Sequence, residues 1–125
     1  MDELLAFVHA RLDELEDAAR CAPGPEWWED EKVYKWGDDA EPEVWCRKGL
    51  IAKISREAPT APEHILLNDP ARILRDVEAR RTTLIRCQEE MLSGIPRLVW
   101  FAKMTVWEMA KRWADHEAFK EGWKP

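Results

Sequence analysis

The chain has 125 residues, a formal net charge of −6 and a hydrophobic fraction of 46%, and it contains eight tryptophans. This length fits a single domain, residues 1–125, whose core needs no disulfide or metal to support it. Since 35% of the residues are charged and no apolar run approaches the length of a membrane helix, we expect no membrane contact. The acidic start at residues 1–4 predicts no secretory leader and favours a cytoplasmic location.

Cysteine number and charge distribution narrow the possible chemistry. The chain has three cysteines, an odd number without a Cys-x-x-Cys pair: Cys21, Cys46 and Cys87. We expect reduced thiols, and we predict no cofactor, no metal and no catalytic set. Residues 1–45 contain 14 acidic and 4 basic side chains, whereas residues 46–125 contain 11 acidic and 15 basic ones. Such an uneven distribution can steer association with a charged partner.

The first 25 residues predict a long amphipathic helix with a sharp end. Apolar residues recur at a three-and-four spacing along residues 3–21: Leu4, Val8, Leu12, Leu15 and Ala19. This spacing places them on one stripe of a helix of about five turns. The segment Pro23-Gly24-Pro25 then ends the helix, because proline lacks an amide donor and restricts the residue before it.

Short aromatic and β-branched runs follow at residues 33–36, 44–47 and 50–54. Glycine-containing segments separate them, which is typical of strands joined by tight turns. We therefore predict a two- or three-stranded antiparallel sheet within residues 31–54. So small a sheet is marginal by itself and needs a helix against its apolar face. Residues 55–62, which include two prolines, are interpreted as a linker.

Two further helices complete the predicted fold. Asp69 can accept hydrogen bonds from first-turn amides and Pro70 fits the first helical position, so we expect a helix over residues 70–92. Its predicted inward side chains are Ile73, Leu74, Val77, Leu84, Ile85 and Met91. After a stop at residues 93–96, a third helix is predicted over residues 97–114, apolar around more than half of its circumference. The sequence thus predicts an α+β domain in which the small sheet packs on three main helices.

Three segments carry a resemblance to a known family. They are the N-terminal helix with APGP at residues 22–25, NDPARILRDVEARR at residues 68–81 and WADHEAFKEGWKP at residues 113–125. Together they resemble a domain-of-unknown-function family of actinobacteria and actinobacteriophages. The resemblance implies no activity, substrate or catalytic residue. It leads us to expect a phage or prophage accessory protein.

Asp115 and His116 form the most enzyme-like pair, because a carboxylate beside an imidazole can orient a general base. Adjacent residues on a helix point about 100° apart, however, so we favour Asp115 as the N-cap of a last helix with His116 in its first turn. A metal site around His64 is disfavoured because no ligand pair has the i, i+4 spacing of helical zinc motifs. A small hydrolase using Asp115 and His116 stays the second alternative function.

A nucleic-acid role is the first alternative function. The second predicted helix carries five arginines: Arg72, Arg75, Arg80, Arg81 and Arg86. Acidic residues interleave with them, so ion pairs within the molecule explain the pattern as well as contacts to phosphates do. The acidic residues between positions 26 and 43 can mimic a phosphate backbone, although a solvated rim is the plainer interpretation. We therefore disfavour direct nucleic-acid binding.

The number of tryptophans exceeds what a small core needs, and this points to an interface. On the third predicted helix, Trp100, Met104 and Trp107 share one flank beside Arg97 and Lys111, a mixture typical of interface hot spots. We predict a partner interface made of these five residues, and a core position for the tryptophans stays the open alternative. The predicted function is a non-enzymatic protein-binding module that acts on a host protein or on a second copy of itself as a homodimer.

Overall fold

The computed structural model describes residues 1–29, 43–53 and 65–125. Three helices run over Asp2–Cys21 (α1), Pro70–Leu92 (α2) and Pro96–Ala110 (α3). Three strands run over Trp27–Glu29 (β1), Glu43–Cys46 (β2) and Gly49–Lys53 (β3), and short 3-10 helices cover Lys111–Trp113 and Glu121–Trp123. The fold is therefore α+β, as predicted. The predicted strand at residues 33–36 and the predicted linker at residues 55–62 lie outside the described residues.

The chain forms two compact units. One comprises Met1–Leu15 and Val77–Pro125, and the other comprises Glu16–Asp76. The sheet belongs to the second unit, and the candidate site described below belongs to the first. Within the described ranges, no helix is long and apolar enough to cross a membrane.

The sheet of the second unit is antiparallel, with the strand order β1-β2-β3. Trp28 pairs with Trp45 between β1 and β2, and Val44 pairs with Ala52 between β2 and β3. Val44 and Cys46 are buried while Glu43 and Trp45, which alternate with them, are less so, and this is the pattern of a strand with one covered face. The predicted limits of residues 31–54 were too narrow, because β1 precedes them. A strand of three residues is too short to show an alternating pattern in the sequence.

The turn after α1 depends on a glycine. α1 ends at Cys21, as the Pro23-Gly24-Pro25 segment predicts. Gly24 has a φ of +76°, and a Cβ atom there would lie 3.3 Å from Cβ of Cys46. Both the left-handed backbone and the close approach favour glycine. The carbonyl of Pro25 then accepts a hydrogen bond from the amide of Ala71 at 2.8 Å, which ties this turn to the first residues of α2.

Both ends of α2 are fixed by local side-chain chemistry, as predicted. Oδ1 of Asp69 accepts a hydrogen bond from the backbone amide of Arg72 at 2.8 Å, and Asp69 is buried. This satisfies an amide of the first turn that has no partner within the helix. At the other end, Gly94 has a φ of +69° and Ser93 Oγ donates to the carbonyl of Glu90 at 2.6 Å. The helix therefore ends at Leu92 and the chain turns into α3.

The core of the first unit draws on α1, α2 and α3. Its most buried aliphatic side chains are Leu4, Val8, Leu12, Val77, Leu84, Ala102, Val106 and Ala110. One predicted inward residue of α2 is wrong, because Ile85 is 55% exposed. Leu84 occupies the inward stripe, and the next residue is rotated by about 100°. Cys87, three residues after Leu84, is buried instead.

α3 is shorter than predicted. It ends at Ala110 rather than at residue 114, and the tighter 3-10 turn Lys111–Trp113 follows it. Trp113 lies edge-on to Phe7, with ring centroids 6.5 Å apart. Trp113 lies three residues after Ala110 and so continues the apolar spacing of α3. A prediction from this spacing alone therefore places the end of the helix too late.

Candidate partner-binding surface

Two adjacent aromatic side chains stand out from α3. Trp100 is 52% exposed and Phe101 is 51% exposed, and their rings meet edge to face with centroids 5.4 Å apart. Both lie more than 100° around the helix from the buried Val106. The burial of the opposite stripe therefore leaves these two rings on the outward face of α3.

A shallow, open groove of about 480 Å³ runs beside these rings. We call its lining residues the α3 groove: Arg80 from α2, and Trp100, Phe101, Met104, Thr105, Glu108 and Met109 from α3. Most of the lining is apolar or aromatic, and its polar members are Arg80, Thr105 and Glu108. A concave apolar surface with a few polar groups is typical of binding sites.

Charged side chains of α3 and of the turn after it lie beside the groove. Arg97 is exposed, and its side chain has no hydrogen bond or ion pair with any residue in the described part of the chain. Lys111 Nζ lies 2.8 Å from Oε2 of Glu108, three residues earlier on the helix. Such an exposed pair contributes little stability, but each charge locally offsets the other. Arg97 therefore adds a positive charge beside the groove.

Four of the five predicted interface residues are at least partly exposed. Arg97, Trp100 and Lys111 are exposed, and Met104 is half-buried. Trp107 differs, because it is only 7% exposed and its ring stacks on that of Phe119, with the ring centroids 5.2 Å apart. Trp107 is thus a core residue and does not belong to an exposed patch.

Trp100 and Trp107 differ in exposure because only one of them is covered by another segment. Seven residues apart, they point nearly the same way from the helix. Phe119, in the segment after α3, covers Trp107, whereas the groove beside Trp100 stays open. Helical periodicity cannot predict this cover. It could have identified Phe101, which the sequence prediction missed, because Phe101 shares the outward spacing of Arg97, Met104 and Glu108.

Asp115 and His116 make no hydrogen bond to each other, and the predicted last helix is absent from residues 114–120, which form turns and irregular backbone. His116 Nδ1 accepts a hydrogen bond from the amide of Ala118 at 3.0 Å, and its Nε2 lies against the guanidinium of Arg11. Both ring nitrogens are therefore engaged without Asp115. The His116 ring thus takes up the backbone amide of Ala118. A hydrogen bond between a side chain and a nearby backbone amide offers the chain an alternative to a helix, and this disfavours a helix start at Asp115.

The segment that contains His116 is held against α1 by an aromatic cluster. We call residues 114–125 the C-terminal segment. Phe7 is the centre of the cluster and contacts four rings: Trp113, His116, Phe119 and Trp123. Arg11 lies over the Phe7 ring at 5.5 Å. The aromatic residues of this cluster therefore have a structural role in the first unit.

Polar contacts at Glu3 add to this anchoring. Oε2 of Glu3 accepts hydrogen bonds from Lys120 Nζ at 2.9 Å and from Trp123 Nε1 at 3.3 Å. The hydrogen bond from Lys120 and then that from Trp123 lower the pKa of the Glu3 carboxyl below its ordinary value, because both favour the ionised form. The contact is therefore strongest when Glu3 is charged.

The buried cysteine of α2 is poorly suited to nucleophilic chemistry. Burial raises the pKa of the Cys87 thiol and the nearby charge of Glu90 raises it further, while a hydrogen bond with Thr105 lowers it. The net shift is upward, so the unreactive thiol form prevails at neutral pH. In the part of the chain that the structure describes, no group of three His, Cys, Asp or Glu side chains is placed to hold a metal. His64 lies outside that part.

The predicted arginine surface of α2 is partly used within the molecule. Arg81 Nη2 lies 2.5 Å from Oδ1 of Asp13 on α1. Ion pairs within the molecule and contacts to phosphates were the two interpretations of these arginines. Arg81 forms an ion pair within the molecule. Arg80 also interacts within the molecule, and it lines the α3 groove.

Comparison with known proteins adds one finding. The sequence profile of a protein family matches residues 1–125, and this family is described as a family of unknown function (DUF6221). No curated protein and no solved structure matches the chain. The chemistry of the site has to be interpreted from its own geometry.

Proposed function

The chain belongs to this family of unknown function, and since membership brings no activity with it, we propose that the protein is a non-enzymatic protein-binding module. Its partner docks on the α3 groove. The exposed pair Trp100 and Phe101 is the observation that carries the proposal. Two large rings at half exposure beside a groove present an apolar surface that a partner can cover favourably.

The residue types around the two rings support a protein as the ligand. Aromatic side chains and arginine dominate the binding energy of protein interfaces, and the groove combines Trp100 with Arg80. Met104 and Met109 add flexible apolar side chains that adapt to a partner's shape. Nucleic-acid binding is less well supported, because a phosphate-binding surface relies on many free basic side chains and Arg81 pairs with Asp13.

Photo-crosslinking from the groove tests this proposal. We expect benzoylphenylalanine in place of Phe101 to crosslink a distinct protein in cells of the natural host, because position 101 lines the groove. The matched control places the same residue at Ile85, which is 55% exposed on α2 but does not line the groove. The proposal fails if the two positions capture the same proteins.

We also propose that the protein is a phage or prophage accessory protein of actinobacteria that acts on a host protein in the cytoplasm. The three segments that resemble the actinobacterial and actinobacteriophage family support this origin. The genes that flank the coding sequence test it. Neighbouring phage structural or integration genes are the expected result, and a conserved housekeeping operon is the result that counts against it.

A further inference from the structure

The backbone hydrogen bonds of the C-terminal segment are local. In the ranges that the structure describes, each of these bonds joins an amide to the carbonyl three residues earlier, and none joins the segment to α1 or α3. The donor amides are those of Ala114, His116, Phe119, Trp123 and Lys124. Bonds of this spacing close within single turns. The segment can therefore leave the two helices without breaking a backbone hydrogen bond to either of them.

Side chains hold the segment against α1. None of its residues is buried, and only three of them are partly covered. The ring centroids of Phe119 and Trp123 lie 6.1 and 5.2 Å from that of Phe7. Oε2 of Glu3 accepts its hydrogen bonds from Lys120 and Trp123 in an exposed position, where polar contacts contribute little stability. A segment held in this way opens locally at a lower free energy than the helical core does.

The segment covers the flank of α3 that continues the α3 groove. Phe119 stacks on Trp107, with an angle of 29° between the ring planes, and Trp107 is 7% exposed. Trp107 lies seven residues after Trp100 and three after Met104, so the three side chains share one flank of the helix. Trp100 and Met104 line the groove. Departure of Phe119 would therefore extend the apolar strip of the groove by the ring of Trp107.

Exposure of Trp107 would add a large anchor to this surface. A tryptophan side chain can bury about 150 to 250 Å², and tryptophan is among the residue types that dominate interface energies. Opening has a cost, because Phe119 loses its ring contacts with Phe7 and Trp107. The covalent link also returns the segment to its surface with an effective concentration on the order of millimolar. The closed form therefore prevails in the free protein.

We infer that the C-terminal segment is a detachable cover that regulates the partner-binding surface of α3, and this inference rests on the proposed function. In the closed form a partner meets the exposed pair Trp100 and Phe101. In the open form Trp107 joins Trp100 and Met104 in one apolar strip. A partner that binds the open form more tightly shifts the equilibrium towards that form, and a change that weakens the cover increases the apparent affinity of the partner.

A labelled synthetic peptide with the sequence of residues 114–125 tests this inference on the full chain. In the wild type the attached segment occupies the surface, so the peptide should bind weakly in fluorescence anisotropy. Phe119→Ala removes the ring that stacks on Trp107, and this variant should bind the peptide about tenfold more tightly or better. Ile85→Ala, an exposed apolar truncation on α2, is the control and should bind as weakly as the wild type.

Lys120→Ala decides the test if Phe119→Ala lowers the melting temperature too far. The Lys120 side chain is 60% exposed, so its loss should leave the melting temperature nearly unchanged. The variant loses the contact of its own segment with Glu3, whereas the peptide still supplies a lysine. Its affinity for the peptide should therefore rise about threefold.

Two results would overturn the inference. It fails if neither variant binds the peptide more tightly than the wild type, or if a scrambled peptide of the same composition binds equally well. It also fails if benzoylphenylalanine at position 101 captures its partner no more efficiently in the Lys120→Ala background, because opening then does not regulate the surface.

The proposed function is tested separately from the cover. A partner captured from position 101 and not from position 85 keeps that function even when the peptide does not bind. If instead the peptide binds as expected and position 101 captures no distinct protein, the segment is detachable and the proposed function fails.

Discussion

At the scale of single residues, Trp107 and Trp100 differ in how much they contribute to the stability of the fold. Trp107 is buried and stacked on Phe119, so Trp107→Ala should destabilise the fold by about 3 to 5 kcal/mol. Trp100 is half-exposed, and Trp100→Ala should cost about 1 kcal/mol or less. Chemical denaturation of both variants measures the difference. Similar free energies of unfolding for the two would contradict the division between core and surface.

The three thiols should also differ sharply in reactivity. Cys21 is exposed, whereas Cys46 and Cys87 are buried, and the raised pKa of Cys87 keeps it protonated. Since thiolates are the reactive species, a thiol reagent at neutral pH should modify Cys21 quickly and the other two only after unfolding. Mass spectrometry of the native protein checks this order. Cys21→Ser is the control that removes the fast phase, and a fast phase surviving in that variant would refute the assignment.

At the scale of elements, the contact between α1 and the C-terminal segment should respond to acid. The lowered pKa of Glu3 means that its contacts with Lys120 and Trp123 contribute stability above the ordinary value of 4.5 and lose it as the pH falls through the lowered value. The indole N–H resonance of Trp123 should therefore shift in strongly acidic solution. Glu3→Gln should abolish this shift.

Asp2→Asn provides the matched control, because Asp2 is also exposed and acidic at the start of α1. The Trp123 resonance should still titrate in that variant. A shift that is unchanged by Glu3→Gln would show that another group controls the C-terminal segment.

The elements that the sequence predicts well are those with local causes. The cap at Asp69 acts on an amide three residues away, and Pro23-Gly24-Pro25 ends α1 by its own backbone restrictions. Both signals depend on neighbours along the chain. The bounds of α1 and α2 therefore follow closely from residue type and spacing.

What the sequence could not predict depends on contacts between distant segments. The burial of Trp107 requires Phe119, which the turns after α3 bring back to the helix. Likewise, His116 meets Arg11 although 105 positions separate them. Periodicity along one helix contains no information about either contact. The predicted interface accordingly included one core residue, Trp107, and did not include the exposed Phe101.

At the scale of the whole molecule, the fold does not determine the function, because one architecture can carry many unrelated sites. What distinguishes this chain is an exposed aromatic pair beside a helical groove. The proposed binding therefore depends on the apolar contact of Trp100 and Phe101.

The central claim is that a partner docks on the α3 groove. Its most direct test uses the protein crosslinked from position 101 and measures how tightly that protein binds two variants of this chain. Calorimetry should show that Trp100→Ala weakens binding by about 2 kcal/mol or more, which is about 30-fold, while Ile85→Ala, a comparably exposed apolar truncation outside the groove, has no effect. Equal affinities of the wild type and the Trp100→Ala variant, or equal losses in both variants, would contradict the α3 groove as the binding surface.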